Sequence, residues 1–184
     1  TTIPVTVGLM ALAPELIYTF AGEAFKPGIV TMQIMSVLPI VIGFGHLLSF
    51  QLLIPFGQNK AVFVSMLIGL AVSIAANLIL IPLFLDKGAA ISAVITETLV
   101  CAAYYYHLSA ENKFKIHYSM LYQTIISSLV FVPIIAGIRM GFDNPILICI
   151  LSIFTCVAAY SILQFLVFKN VEVLKLFIQK RTQT

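Results

Sequence analysis

Charge is scarce in this 184-residue chain: Asp, Glu, Lys and Arg make up 9% of it, while 61% is hydrophobic. Soluble domains carry about 25% charged and about 45–50% apolar residues. So little charge cannot cover a water-facing surface, which excludes an ordinary soluble fold. Hydrocarbon is the solvent that suits such a composition. Catalytic signatures are missing too. There is no Ser/His/Asp or Cys/His nucleophile set, no HExxH and no P-loop, so neither an enzyme nor a nucleotide cofactor is expected. The three cysteines, Cys101, Cys149 and Cys156, lie in apolar runs with no CxxC pairing, which argues against a disulfide or a metal site. The net charge of +3 comes without a basic run, so nucleic acid is not an expected partner. No charged leader precedes an isolated apolar core, as a cleavable signal requires. Lys and Arg are absent from the middle of every apolar run, which excludes a voltage sensor.

What the chain does have is long apolar runs. A membrane-crossing helix needs about 20 such residues. Runs of that kind cover about 1–20, 28–54, 60–85, 88–107, 122–140 and 145–168. They are continuous rather than alternating, so a β-barrel is excluded. The expectation is an all-α, polytopic transmembrane helix bundle of about six spans. The chain opens on Thr1 rather than Met, in a segment that reads as the inside of a span, so the C-terminal part of a longer protein is expected. One set of alternate loops holds Lys60, Lys113, Lys115, Lys169, Lys175, Lys180 and Arg181; the other holds Lys26, Lys87 and Arg139. Positive charge accumulates on the cytoplasmic side, so the tail 169–184 is expected there. Its Val171, Leu174 and Ile178 recur at helical spacing, suiting an amphipathic surface segment.

Polar side chains inside the runs mark candidate functional positions, because polarity is costly there. Glu97 is the sharpest, near the middle of the fourth run; a midplane charge costs about 2.5–3.5 kcal/mol. It should face other helices or a water-filled cavity, as a substrate, ion or proton contact or as a neutral hydrogen-bonding group. Glu15 lies toward the end of the first run, beside Pro14, where a carboxyl can reach water. His46 and Gln51 in the second run, Asn77 in the third and Gln164 in the sixth suit hydrogen bonds between helices or a ligand. Three stripes recur every four residues: Ser65–Gly69–Ser73–Asn77, Ala89–Ala93–Glu97 and Ser152–Cys156–Tyr160–Gln164. Each should face protein or a cavity rather than lipid. Pro39, followed by Gly43 and Gly45, predicts a bend in the second run. Tyr104–Tyr105–Tyr106 suits an aromatic belt at the membrane boundary.

Three segments carry a resemblance. Tyr18 to Phe25 looks like the aromatic–Gly–x–x–Phe link of polysaccharide flippases, and Leu53 to Lys60 resembles their L-x-P-x-G-x-x-K turn. Asn77–Phe84 followed by Gly88–Glu97 is similar to the stretch N-L-x-L-I-P-x-x-G-x-x-G-A-A-x-x-T-x-x-x-E. The family is that of Wzx-like O-antigen and exopolysaccharide flippases in the MATE-like exporter superfamily, and the likeness covers about residues 14–110. It implies the second six-helix lobe of a two-lobe transporter in the bacterial inner membrane, both ends cytoplasmic and the N-terminal lobe missing. It implies translocation of an undecaprenyl-diphosphate-linked oligosaccharide by alternating access, driven by H+ or Na+. Membrane lipids and other polysaccharide-assembly membrane proteins are the remaining implied partners. Glu97 matches the Glu of the motif. The absence of a mid-membrane Lys or Arg departs from what a pyrophosphate needs and leaves the phosphate contacts to the missing lobe or to Lys26, Lys60 and Arg139. A related drug or small-molecule ion antiporter and a non-transporting membrane scaffold are the rival readings.

Overall fold

A computed structural model describes residues 2–109, 128–142 and 144–163. The described residues form an all-α helical bundle. The tail 169–184, Gln164 and residues 122–127 lie outside them.

Helix α1 runs from Thr2 to Phe20. It ends where Gly22 takes a left-handed φ of 82°. The amides of Ala21 and Gly22 both donate to the Ile17 carbonyl, at 2.9 and 3.0 Å, a cap that needs glycine's freedom. After a short 3-10 turn, the second apolar run folds as three pieces: α2 (Gly28–Met35), α3 (Leu38–His46) and a π-helical stretch (Leu47–Leu53). The break between α2 and α3 falls at Ser36–Val37. Pro39 has no N–H for the Met35 carbonyl, and its ring crowds that turn. Buried Ser36 donates instead to the Gln33 carbonyl at 2.6 Å. The π stretch has a wider turn, seen in the Ile54 amide donating five residues back to Ser49 at 2.9 Å.

Helix α4 spans Asn59–Phe84 and α5 spans Asp86–Ser109. The link expected at Asp86–Lys87 contracts to one residue, Leu85, with a φ of 54°. Two glycines let α4 and α5 close on each other. A Cβ on Gly88 would lie 2.0 Å from the Leu80 carbonyl oxygen, and one on Gly69 would lie 2.3 Å from Val100 Cγ2. Helices α6 (Phe131–Gly141) and α7 (Pro145–Ile162) complete the described bundle. Asn144 caps α7 by accepting from the Ile146 amide at 3.0 Å, with Pro145 preset for the first turn.

Helix α5 packs on α2, α3 and α4, while α1 packs on α2, α3, α6 and α7. The α2–α3 pair therefore joins two groups. One core gathers Leu48, Leu53, Val62, Tyr104 and Leu108. The other gathers Leu12, Phe131, Ile135 and Cys156, with Phe131 edge-on to Tyr160 at 6.3 Å.

The outward surface is apolar: Leu78 and Phe154 are each 73% exposed, and Phe63 and Ile74 also face outward. An exposed apolar belt of this extent belongs in lipid. Five described helices, including the composite Gly28–Leu53, are long and apolar enough to cross a membrane; α6 is a shorter apolar helix. The chain is a membrane protein.

Candidate functional site: a cavity between α3, α4 and α5

Helices α3 and α4 both rest on α5, and between them lies a cavity of about 430 Å³. Its floor is α5: Thr96, Glu97, Val100, Cys101 and Tyr104. One wall is the end of α3 and the start of the π stretch, with Gly45, His46, Ser49 and Phe50. The other is α4, with Met66, Gly69, Leu70 and Ser73. A π turn offsets the helix register, and such turns are frequent at functional sites. Here it leads Ser49 and Phe50 onto the same cavity as His46.

Glu97, midway along α5, is partly buried and points into this space. Among the described residues, neither a hydrogen bond nor an ion pair reaches its carboxyl. Beside it, the Thr96 hydroxyl oxygen is buried with no hydrogen-bond partner among the described residues. His46 is exposed to the cavity and meets Phe50 edge-on at 5.4 Å and 81°. The Ser49 hydroxyl donates to the Gly45 carbonyl at 2.8 Å and is already engaged. Among the described residues, Glu97 is the one Asp, Glu, Lys or Arg in the cavity lining.

The structure thus joins two of the sequence candidates, Glu97 and His46. Asn77 stands one step away, its amide donating to Ser73 Oγ at 3.3 Å. Gln51 is exposed and does not line the cavity. Glu15 belongs to another part of the bundle. It is 7% exposed and, rather than reaching water, accepts from Arg139 Nε at 2.5 Å and Nη2 at 2.7 Å. The same Nη2 donates to the Ala11 carbonyl at 2.6 Å. This clamp joins α1 to α6 and leaves Arg139 poorly placed for the phosphate contact expected of it. Charge counting had put Arg139 among the loop cations, so its partner was missed; the sequence signal was an acid and a base at matching depths near the ends of two runs.

Tyr104 also differs from expectation. It is 3% exposed and turned into the bundle, whereas Tyr105 and Tyr106 face outward. In the Ser65 stripe, Ser65 and Gly69 are buried against α5 and Ser73 reaches the cavity. In the third stripe, Ser152, Cys156 and Tyr160 line a second cleft of about 380 Å³ against α1, which is almost wholly apolar. No group of three or more potential metal ligands occurs among the described residues. No known protein family matches this chain, and neither a curated protein nor a solved structure does.

Proposed function

We propose that this chain forms part of a membrane transporter, with the cavity between α3, α4 and α5 lying on the translocation path. The observation that carries the reading is Glu97: a carboxyl midway along an apolar helix, facing a cavity and not lipid. Holding a carboxyl at that depth is costly, which makes one kept there a candidate for function. A sugar–pyrophosphate headgroup cannot cross hydrocarbon unaided, so a polar route through the bundle is what a flippase must offer. With the motif resemblance, this supports flipping of a lipid-linked oligosaccharide across the bacterial inner membrane, with the tail cytoplasmic. A second reading, export of small amphiphilic molecules, is favoured by one observation: among the described residues, the cavity lining holds an acid and neither Lys nor Arg.

The test is transport by variants in cells. Glu97→Gln and His46→Ala should each lower export at least tenfold at unchanged membrane abundance, while Gln51→Ala stays within twofold of the parent. Full export by Glu97→Gln would overturn the assignment of the path.

A further inference from the structure

We infer that the cleft between α1, α6 and α7 binds an uncharged lipophilic molecule that carries a hydrogen-bond acceptor and enters from the bilayer. It shares no lining residue with the Glu97 cavity, so the inference stands apart from the transport reading. Continuity with the lipid-facing surface comes first. Val5, Ile153 and Val157 line the cleft and also belong to the exposed apolar belt, so the way in is from hydrocarbon and not from water. Charge comes second. Among the described residues, the lining holds no Asp, Glu, Lys, Arg or His, and a charged ligand would be desolvated there with nothing to offset the cost. The third observation is Ser152, which lines the cleft, is fully buried and has a hydroxyl with no hydrogen-bond partner among the described residues. Other α7 hydroxyls donate four residues back along the helix, Thr155 to the Leu151 carbonyl at 2.7 Å and Ser161 to that of Val157 at 2.8 Å. A buried hydroxyl left unpaired is costly, and an acceptor brought into the cleft relieves that cost. The fourth is make-up. About 380 Å³ of mostly apolar lining with few polar groups is typical of small-molecule sites, which span about 300–1,000 Å³.

Depth decides between a small lipophile and a phospholipid. Ser152 lies about 10 Å along α7 from Pro145, well inside a hydrocarbon core about 30 Å thick. A phospholipid anchored at the interface brings only alkyl chain to that depth and leaves the hydroxyl unpaired. A ketone, quinone or similar carbonyl compound dissolved in the bilayer carries its acceptor there. Bound in the cleft, it touches α1, α6 and α7 together, so occupancy stabilises that half of the bundle.

The test uses the full chain in nanodiscs with benzophenone, a neutral ketone that inserts into nearby C–H bonds on irradiation. Its competitor is diphenylmethane, the same shape without the carbonyl. Concentrations are counted per lipid, and adducts are located by mass spectrometry. Labelling should saturate, with adducts on residues 4–16 of α1 and 152–160 of α7. Benzophenone should bind at least threefold more tightly than diphenylmethane. Ser152→Ala should remove that preference while holding diphenylmethane within twofold, which also shows that the cleft still forms. A Cβ added at Gly8 meets no atom within 4 Å, so Gly8→Leu can fill the cleft without a clash. It should cut labelling at least tenfold with no fall in the thermal midpoint. Equal affinity of the two probes in the parent would mean that the cleft takes any alkyl or aryl chain and would overturn the inference. A preference that survives Ser152→Ala, or saturable labelling that survives Gly8→Leu, would overturn it as well.

Discussion

Arg139 and Glu15 show how a single contact can order two helices in an apolar environment. The guanidinium grips both carboxylate oxygens and the Ala11 carbonyl. Bidentate geometry of this kind is among the stronger polar interactions. Its removal is asymmetric. Arg139→Ala strands a carboxylate whose side chain is 9% exposed. Breaking a buried pair costs about 3–5 kcal/mol, but the Arg139 side chain is 39% exposed and water screens part of the attraction. A loss of about 1–3 kcal/mol is therefore expected, read as a lower thermal midpoint in detergent. The double variant Glu15→Gln/Arg139→Gln should recover more than half of that loss, because no charge is then left unpaired. A double variant as unstable as Arg139→Ala alone would show that the clamp acts through packing.

At the scale of elements, α4 and α5 are set by glycines whose roles differ in kind. At Gly88 the obstacle to a methyl group is the Leu80 carbonyl, which is backbone and cannot rotate away; at Gly69 it is the end of the Val100 side chain, which can. Gly88→Ala should therefore cost more than Gly69→Ala, about 1–3 kcal/mol against less than 1 kcal/mol, in the same unfolding assay. The reverse order would mean that the α4–α5 turn is looser than described. These elements also show what the sequence could tell. Apolar runs of helical length announced the helices, since their composition allows no other way to satisfy the backbone in lipid. The bend before Pro39 was legible because proline's missing donor acts locally. The π stretch was not, because nothing in Leu47–Leu53 distinguishes a wide turn from an ordinary one. The one-residue turn at Leu85 was hidden as well, since Asp86 and Lys87 look like a loop until they are seen to start α5.

For the whole molecule, the bundle is an apolar exterior around a few polar positions, and its function depends on which way those positions face. Glu97 and His46 were legible as out-of-place polarity, but their meeting was not. They lie on different helices, and only the splaying of α3 and α4 over α5 brings them to one cavity. Glu15 and Gln51 looked much the same in sequence, yet one is tied into a clamp and the other lies off the cavity, because long-range pairing leaves no local trace. The central claim is that Glu97 faces a hydrated cavity and not lipid. Its most direct test replaces Cys101, Cys149 and Cys156 with Ala, then introduces one cysteine at position 97, 46, 78 or 99 and measures labelling by a membrane-impermeant maleimide in intact membranes. Positions 97 and 46 should label readily, whereas 78 and 99, whose Leu side chains face outward, should not. Labelling at 78 and 99 with none at 97 would contradict the account.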